Sequence, residues 1–102
     1  MNYYILEKFG NAVEKMATSP LPLRERIINA CAEFSVIRKE EMPQDLQWDY
    51  EQLIKKITKI KTEGSEVSLG VTTTKISENE LIEVAQKIVY IGSRLEDIAA
   101  ES

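Results

Sequence analysis

Apolar residues recur along most of this chain at helical spacing. Leu6, Phe9, Val13 and Met16 are spaced 3, 4 and 3, which places them on one face of a helix over roughly residues 3–17. Ser19-Pro20-Leu21-Pro22 ends that helix, because each proline disfavours helical backbone at the residue before it. Leu23, Ile27, Ala30, Phe34 and Ile37 predict a second helix over 22–38, with Pro22 suited to its first turn. Leu46, Tyr50, Leu53, Ile57 and Ile60 predict a third from Pro43 to Lys61, with Gly64 placed to cap it. The fourth, from Ser77 to about Ala100, carries Leu81, Val84, Ile88, Ile91, Leu95 and Ile98. It opens on a capping box, Ser77 as N-cap and Glu80 three residues on, flanked by Ile76 and Leu81 as a hydrophobic staple.

Four amphipathic helices joined by short turns predict an all-α four-helix bundle, one domain over residues 1–102. The exception is 65–75, rich in Val and Thr. A single extended segment has no strand to pair with, so it reads as a long loop between helices 3 and 4.

The apolar pattern exceeds what one seam per helix needs. Ile28, Ala32 and Val36 form a second stripe on helix 2, and Ile82 and Val89 lie off the seam of helix 4. A helix that is apolar nearly all round is central or lies in an interface. Ala85, Gly92 and Ala99 recur every seven residues on helix 4, as do Gly10 and Ala17 on helix 1. Small residues let helix backbones approach closely. They fit a tight contact of helices 1 and 4 within the bundle, or a dimer contact. Trp48 falls opposite the helix 3 seam, either as a binding residue or folded over the preceding loop. The interface candidates are therefore Ile28, Ala32, Val36, Trp48, Ile82, Ala85, Val89 and Gly92.

Composition narrows the chemistry. The 102 residues include no histidine, which removes the commonest general base and the commonest metal ligand. Cys31 is alone, so no intramolecular disulfide forms, and a reducing, cytoplasmic setting is expected. No apolar run approaches the roughly 20 residues of a membrane span, and the first residues lack the pattern of a signal peptide. No catalytic constellation, cofactor motif or metal site is expected. Residues 1–63 hold ten acidic and ten basic side chains, and 64–102 hold seven and three, so the net charge of −4 arises in the last third. That sign disfavours duplex nucleic acid and suits a basic protein partner. Along helix 3 acidic residues lead and lysines close, which complements the helix dipole. Arg24-Glu25-Arg26, in the first turn of helix 2, opposes its dipole, and local ion pairing is the simplest account. The alternative is a nucleic-acid accessory protein that uses Arg24, Lys55, Lys56 and Lys59 as a basic patch.

The succession Leu23-x-x-Arg26-Ile27-x-x-Ala30, Met42-Pro43-x-x-Leu46, Ile57-Thr58 and Ile76-Ser77-x-x-Glu80 resembles a loose group of small bacterial helical proteins without a known activity. The resemblance covers about residues 20–95. It implies a bacterial helical protein and brings no site residues with it. The expected function is a non-enzymatic helical interaction protein, either a homo-oligomer or a small subunit beside a larger partner. A narrower form is a neutralising protein of the antitoxin or immunity kind, whose acidic last third masks a basic surface.

Overall fold

The computed structural model describes residues 3–65 and 77–101. They form four α-helices: α1 Tyr3–Thr18, α2 Leu23–Phe34, α3 Gln44–Ser65 and α4 Glu78–Glu101, with a single 3-10 turn Lys39–Glu41 before α3. No strand occurs among the described residues. The 65–75 loop and Ile76 of the staple lie outside them from residue 66 onward. Successive helices run antiparallel. Phe9 meets Phe34 while Met16 meets Arg26, Tyr50 meets Phe34 while Arg24 meets Ile60, and Lys56 meets Glu83 while Asp49 meets Lys87.

The seams of helices 2, 3 and 4 pack where the spacing puts them. Ile27, Ala30, Phe34, Ile37, Leu46, Tyr50, Leu53, Ile57, Ile60, Leu81, Val84, Ile88, Ile91 and Leu95 are all buried in one core. Leu23 and Ile98 are partly buried at its edge. Helix 1 is rotated from expectation. Its buried line is Ile5, Phe9, Ala12 and Met16, with Leu6 and Val13 packed at the margin. Both lines are apolar at helical spacing, and α1 settles between them because it packs on α2 at one side and α4 at the other. At its centre the Phe9 and Phe34 rings stack at 4.5 Å, and the Tyr50 ring meets both edge-on.

Helix 2 ends earlier than its periodicity suggests, at Phe34 rather than residue 38. Ile37 stays buried because the chain turns it inward, not because the helix continues. The Tyr50 hydroxyl holds this turn, its one proton lying between the Ile37 and Phe34 carbonyls at 2.6 and 2.9 Å. A second tie follows, from the Arg38 N–H to the Glu41 carboxylate at 2.7 Å. Helix 3 runs on through Gly64 to Ser65, so Gly64 lies within the helix and does not cap it. At the start of α4 the Ser77 hydroxyl accepts from the Glu80 N–H at 3.2 Å, as its capping position requires.

The paired arginines of α2 act differently from the expected ion pairing. Arg26 donates to the Met16 carbonyl in the last turn of α1, and Arg24 donates to the Ile60 carbonyl of α3. Antiparallel packing sets the start of α2 beside the later turns of its neighbours, where carbonyls carry the negative end of the dipole. Cations that oppose their own helix are thus matched to adjacent ones.

Burial raises the Tyr50 phenol far above its ordinary 10.0, with the charges of Cys31 and Glu41 adding to the effect. Burial also raises the Cys31 thiol above 9.0, partly offset by Lys61. Both groups hold their protons longer in the folded chain. Their contribution to stability is full below the unfolded-state values and is lost as pH rises through and beyond them. At the acid end, hydrogen bonds from Lys39 to Glu51 and from Lys15 to Glu33 lower those carboxyls, so their contribution fades as pH falls below 4.5. The chain has no histidine, the side chain whose ordinary pKa lies between these limits. Urea unfolding across pH should show a flat plateau near neutrality and a fall that begins above about pH 9. Tyr50→Phe should cost about 1–3 kcal/mol at neutral pH, by taking the donor from the Ile37 carbonyl, and should flatten the alkaline fall. An alkaline limb unchanged by Tyr50→Phe would refute the assignment.

Candidate functional site

Helix 4 is 24 residues long and is apolar over more than its core face. Leu81, Val84, Ile88, Ile91 and Leu95 point inward, and Ile82, Val89 and Tyr90 remain 42–47% exposed on the outer side. Together with Ala85, Gln86 and Ser93, and with Leu23 from the first turn of α2, they line a shallow open groove. The groove forms because Leu23 stands beside the α4 face without covering it. Apart from the Tyr90 hydroxyl, its polar groups are the neutral side chains of Gln86 and Ser93. At one edge the Lys87 ammonium sits 5.3 Å from the Tyr90 ring centroid and 2.8 Å from the Asp49 carboxylate of α3, which fixes the tyrosine's flank.

The structure gathers some expected residues here and disperses others. Ile82, Ala85 and Val89 line the groove, although Ala85 is partly buried against the core. Gly92 does not belong to an outer surface. It is buried against α1, and a Cβ built on it would lie 3.4 Å from Val13 and 4.0 Å from Phe9. The small-residue line thus serves close approach of helices 1 and 4 at this position. Gly10 takes no part, since nothing lies within 4 Å of a Cβ built there. The second stripe of helix 2 does not form one face. Ile28 packs against the core, Ala32 lies in a separate shallow depression between α1 and α2, and Val36 is exposed in the turn after the helix has ended. Trp48 stands 66% exposed on α3 and does not line the α4 groove.

Leu23, Gln86, Tyr90 and Ser93 were not singled out as surface residues by periodicity. A signal was present, because Ile82, Gln86 and Tyr90 are four apart and share a stripe beside the Ile82–Val89 line. Leu23 carries no such signal, since its place on the helix 2 seam marks it as core.

The glycines give a direct test of packing. Glycine in a helix interior costs about 1 kcal/mol relative to alanine. Gly10→Ala meets no neighbour and should raise stability by about that amount. Gly92→Leu must displace Val13 and Phe9 and should lower stability by about 1–3 kcal/mol. Denaturant midpoints check both, and equal effects at the two sites would contradict the placement of α4 against α1.

Of the basic candidates, Lys56 and Lys59 line one small depression beside Ile60. Arg24 is held on the Ile60 carbonyl, Lys55 lies 3.4 Å from Glu51, and Lys56 lies 3.9 Å from Glu83. Lys59 is exposed. No three Cys, Asp or Glu side chains converge on a possible metal position among the described residues. No helix there is long and apolar enough to cross a membrane. Comparison with protein-family models, curated proteins and solved structures finds no match.

Proposed function

We propose that this chain is a non-enzymatic helical interaction module that self-associates through the outer face of α4. The observation that carries the reading is the clustering of Ile82, Val89 and Tyr90, exposed large apolar side chains, along one groove. Exposed aliphatic side chains forgo roughly 1.5–3 kcal/mol each of burial, and a contiguous group is an aggregation liability unless covered. A second copy suits the groove. Ile82 and Val89 repeat after seven residues with Ala85 and Gln86 beside them on the groove, a stripe suited to pairing with itself across a two-fold axis. The stripe bears no formal charge that would call for a counter-charge on a different partner.

Sedimentation of single variants tests the location. Ile82→Glu and Val89→Glu should each weaken association by a factor of at least about ten, one buried aliphatic contact per subunit being lost and a charge left in its place. Val36→Glu and Trp48→Glu, at more exposed apolar positions off the groove, should leave it unchanged. Weakening by the second pair and not the first would move the interface elsewhere.

A further inference from the structure

The groove on α4 is neutral, but the helix that carries it is not. Along Glu78–Glu101 six carboxylates stand against Lys87 and Arg94, a balance of −4 that equals the net charge of the whole chain. The ion pairs to α3 leave this balance unchanged, because Lys56 on Glu83 and Asp49 on Lys87 cancel each other. Two of the carboxylates close the ends of the apolar stripe. Glu78 and Glu96 are eighteen residues apart, five full turns, so they project in the same direction. Ile82 and Val89 lie between them, within about 40° of that line at about 100° per residue. Glu78 and Glu96 are both exposed, and neither has an ion-pair partner among the described residues. Arg94, two residues before Glu96, projects from nearly the opposite side of the helix.

A two-fold contact through this stripe sets like charge against like in either orientation. With the copies antiparallel and Ile82 opposite Val89 of the partner subunit, Glu78 falls opposite Ser93 of the partner subunit. Glu96 of the partner subunit is then three residues away, about 4.5 Å along the axis, on the same side of the contact. With the copies parallel, Glu78 and Glu96 each face their own counterpart. From this pattern we infer that self-association through α4 is governed by ionic strength: like charge opposes it in dilute salt, and screening releases it. The inference rests on the α4 contact proposed above. The screening length falls from about 30 Å at 0.01 M to about 10 Å at 0.1 M and about 3 Å at 1 M, so repulsion between exposed carboxylates fades across that range. The apolar contact of Ile82 and Val89 survives it. A basic partner on the same face would respond in the opposite sense, because salt weakens attraction between opposite charges.

Sedimentation velocity of the parent at rising NaCl is the test. The dissociation constant should fall by roughly fivefold from about 10 mM to about 500 mM, as two facing carboxylate pairs are screened. Glu78→Gln with Glu96→Gln should associate roughly fivefold more tightly than the parent at about 10 mM, and equally at about 500 mM. That convergence separates charge from a general salting-out of apolar surface, which both chains would share. Glu96→Gln alone, far from the α4 cap, should tighten association about twofold in dilute salt, and it carries the test if the double variant loses helical circular dichroism. Glu7→Gln with Glu14→Gln removes the same charge from exposed positions on α1 and should keep the parent's salt response. The inference is overturned if association weakens with NaCl, if the α4 glutamine variants match the parent in dilute salt, or if the α1 pair has as large an effect. Association without a salt response overturns this inference alone and leaves the α4 contact standing. A parent that is monomeric at every salt concentration overturns both.

Discussion

Phe34→Ala will lower stability by about 3–5 kcal/mol, a large part of the 5–15 kcal/mol that holds a domain of this size folded. The Phe34 side chain is fully buried at the end of α2. Its ring stacks on Phe9 at 9° between planes and receives the Tyr50 ring edge-on at 6.2 Å. The three rings join α1, α2 and α3, so truncation leaves a void bordered by three helices that cannot all close on it. Loss of the aromatic pairs adds about 0.5–1.5 kcal/mol to the cost of the cavity. Trp48→Ala, a larger deletion at an exposed position, should stay within about 0.5 kcal/mol. Urea midpoints at one fixed protein concentration make the comparison, since self-association would otherwise add to apparent stability. A Phe34→Ala loss below about 1 kcal/mol would mean that the ring cluster is not the centre of the core.

The second large effect concerns assembly. Ile82→Glu with Val89→Glu should yield a folded monomer under conditions where the parent associates. Both residues are 42–47% exposed in the single chain, so a carboxylate at either position remains hydrated and leaves the bundle intact. In a two-fold assembly the same substitutions place four carboxylates in one apolar contact. Desolvation and like-charge repulsion both oppose that arrangement. Helical circular dichroism unchanged from the parent, together with a halved mass, is the expected pair of results. A variant that loses its helical signal would show that Ile82 and Val89 are needed inside the bundle.

The core was largely legible because burial on one side imposes a 3.6-residue period that a seam such as Leu46-Tyr50-Leu53-Ile57-Ile60 displays directly. What failed did so for identifiable reasons. On helix 1 two apolar lines compete, and only the positions of α2 and α4 choose Ile5 and Ala12 over Leu6 and Val13 as the most buried. On helix 2 Ile37 keeps the helical period although the helix has ended, because a turn held by the Tyr50 hydroxyl delivers it to the core by another route. That contact spans 13 residues and leaves no local trace. Ile28 looked like surplus surface because the width of the core depends on how neighbouring helices splay, which periodicity along one helix does not record; for Gly92 the spacing left a contact with helix 1 and a dimer contact open, and its place against Val13 and Phe9 is the first of these. Ile82 and Val89 were legible as off-seam residues. The groove they form with Leu23 was not, since Leu23 belongs by spacing to a different helix's core face.

Self-association through α4 is tested most directly by the mass of the unmodified chain. Light scattering coupled to size exclusion, run from low to high micromolar protein, should give a mass that rises to twice 11.6 kDa for the parent. The Ile82→Glu, Val89→Glu chain should remain at 11.6 kDa throughout. A parent that stays at 11.6 kDa at high micromolar concentration, with the groove open to solvent, would contradict the account.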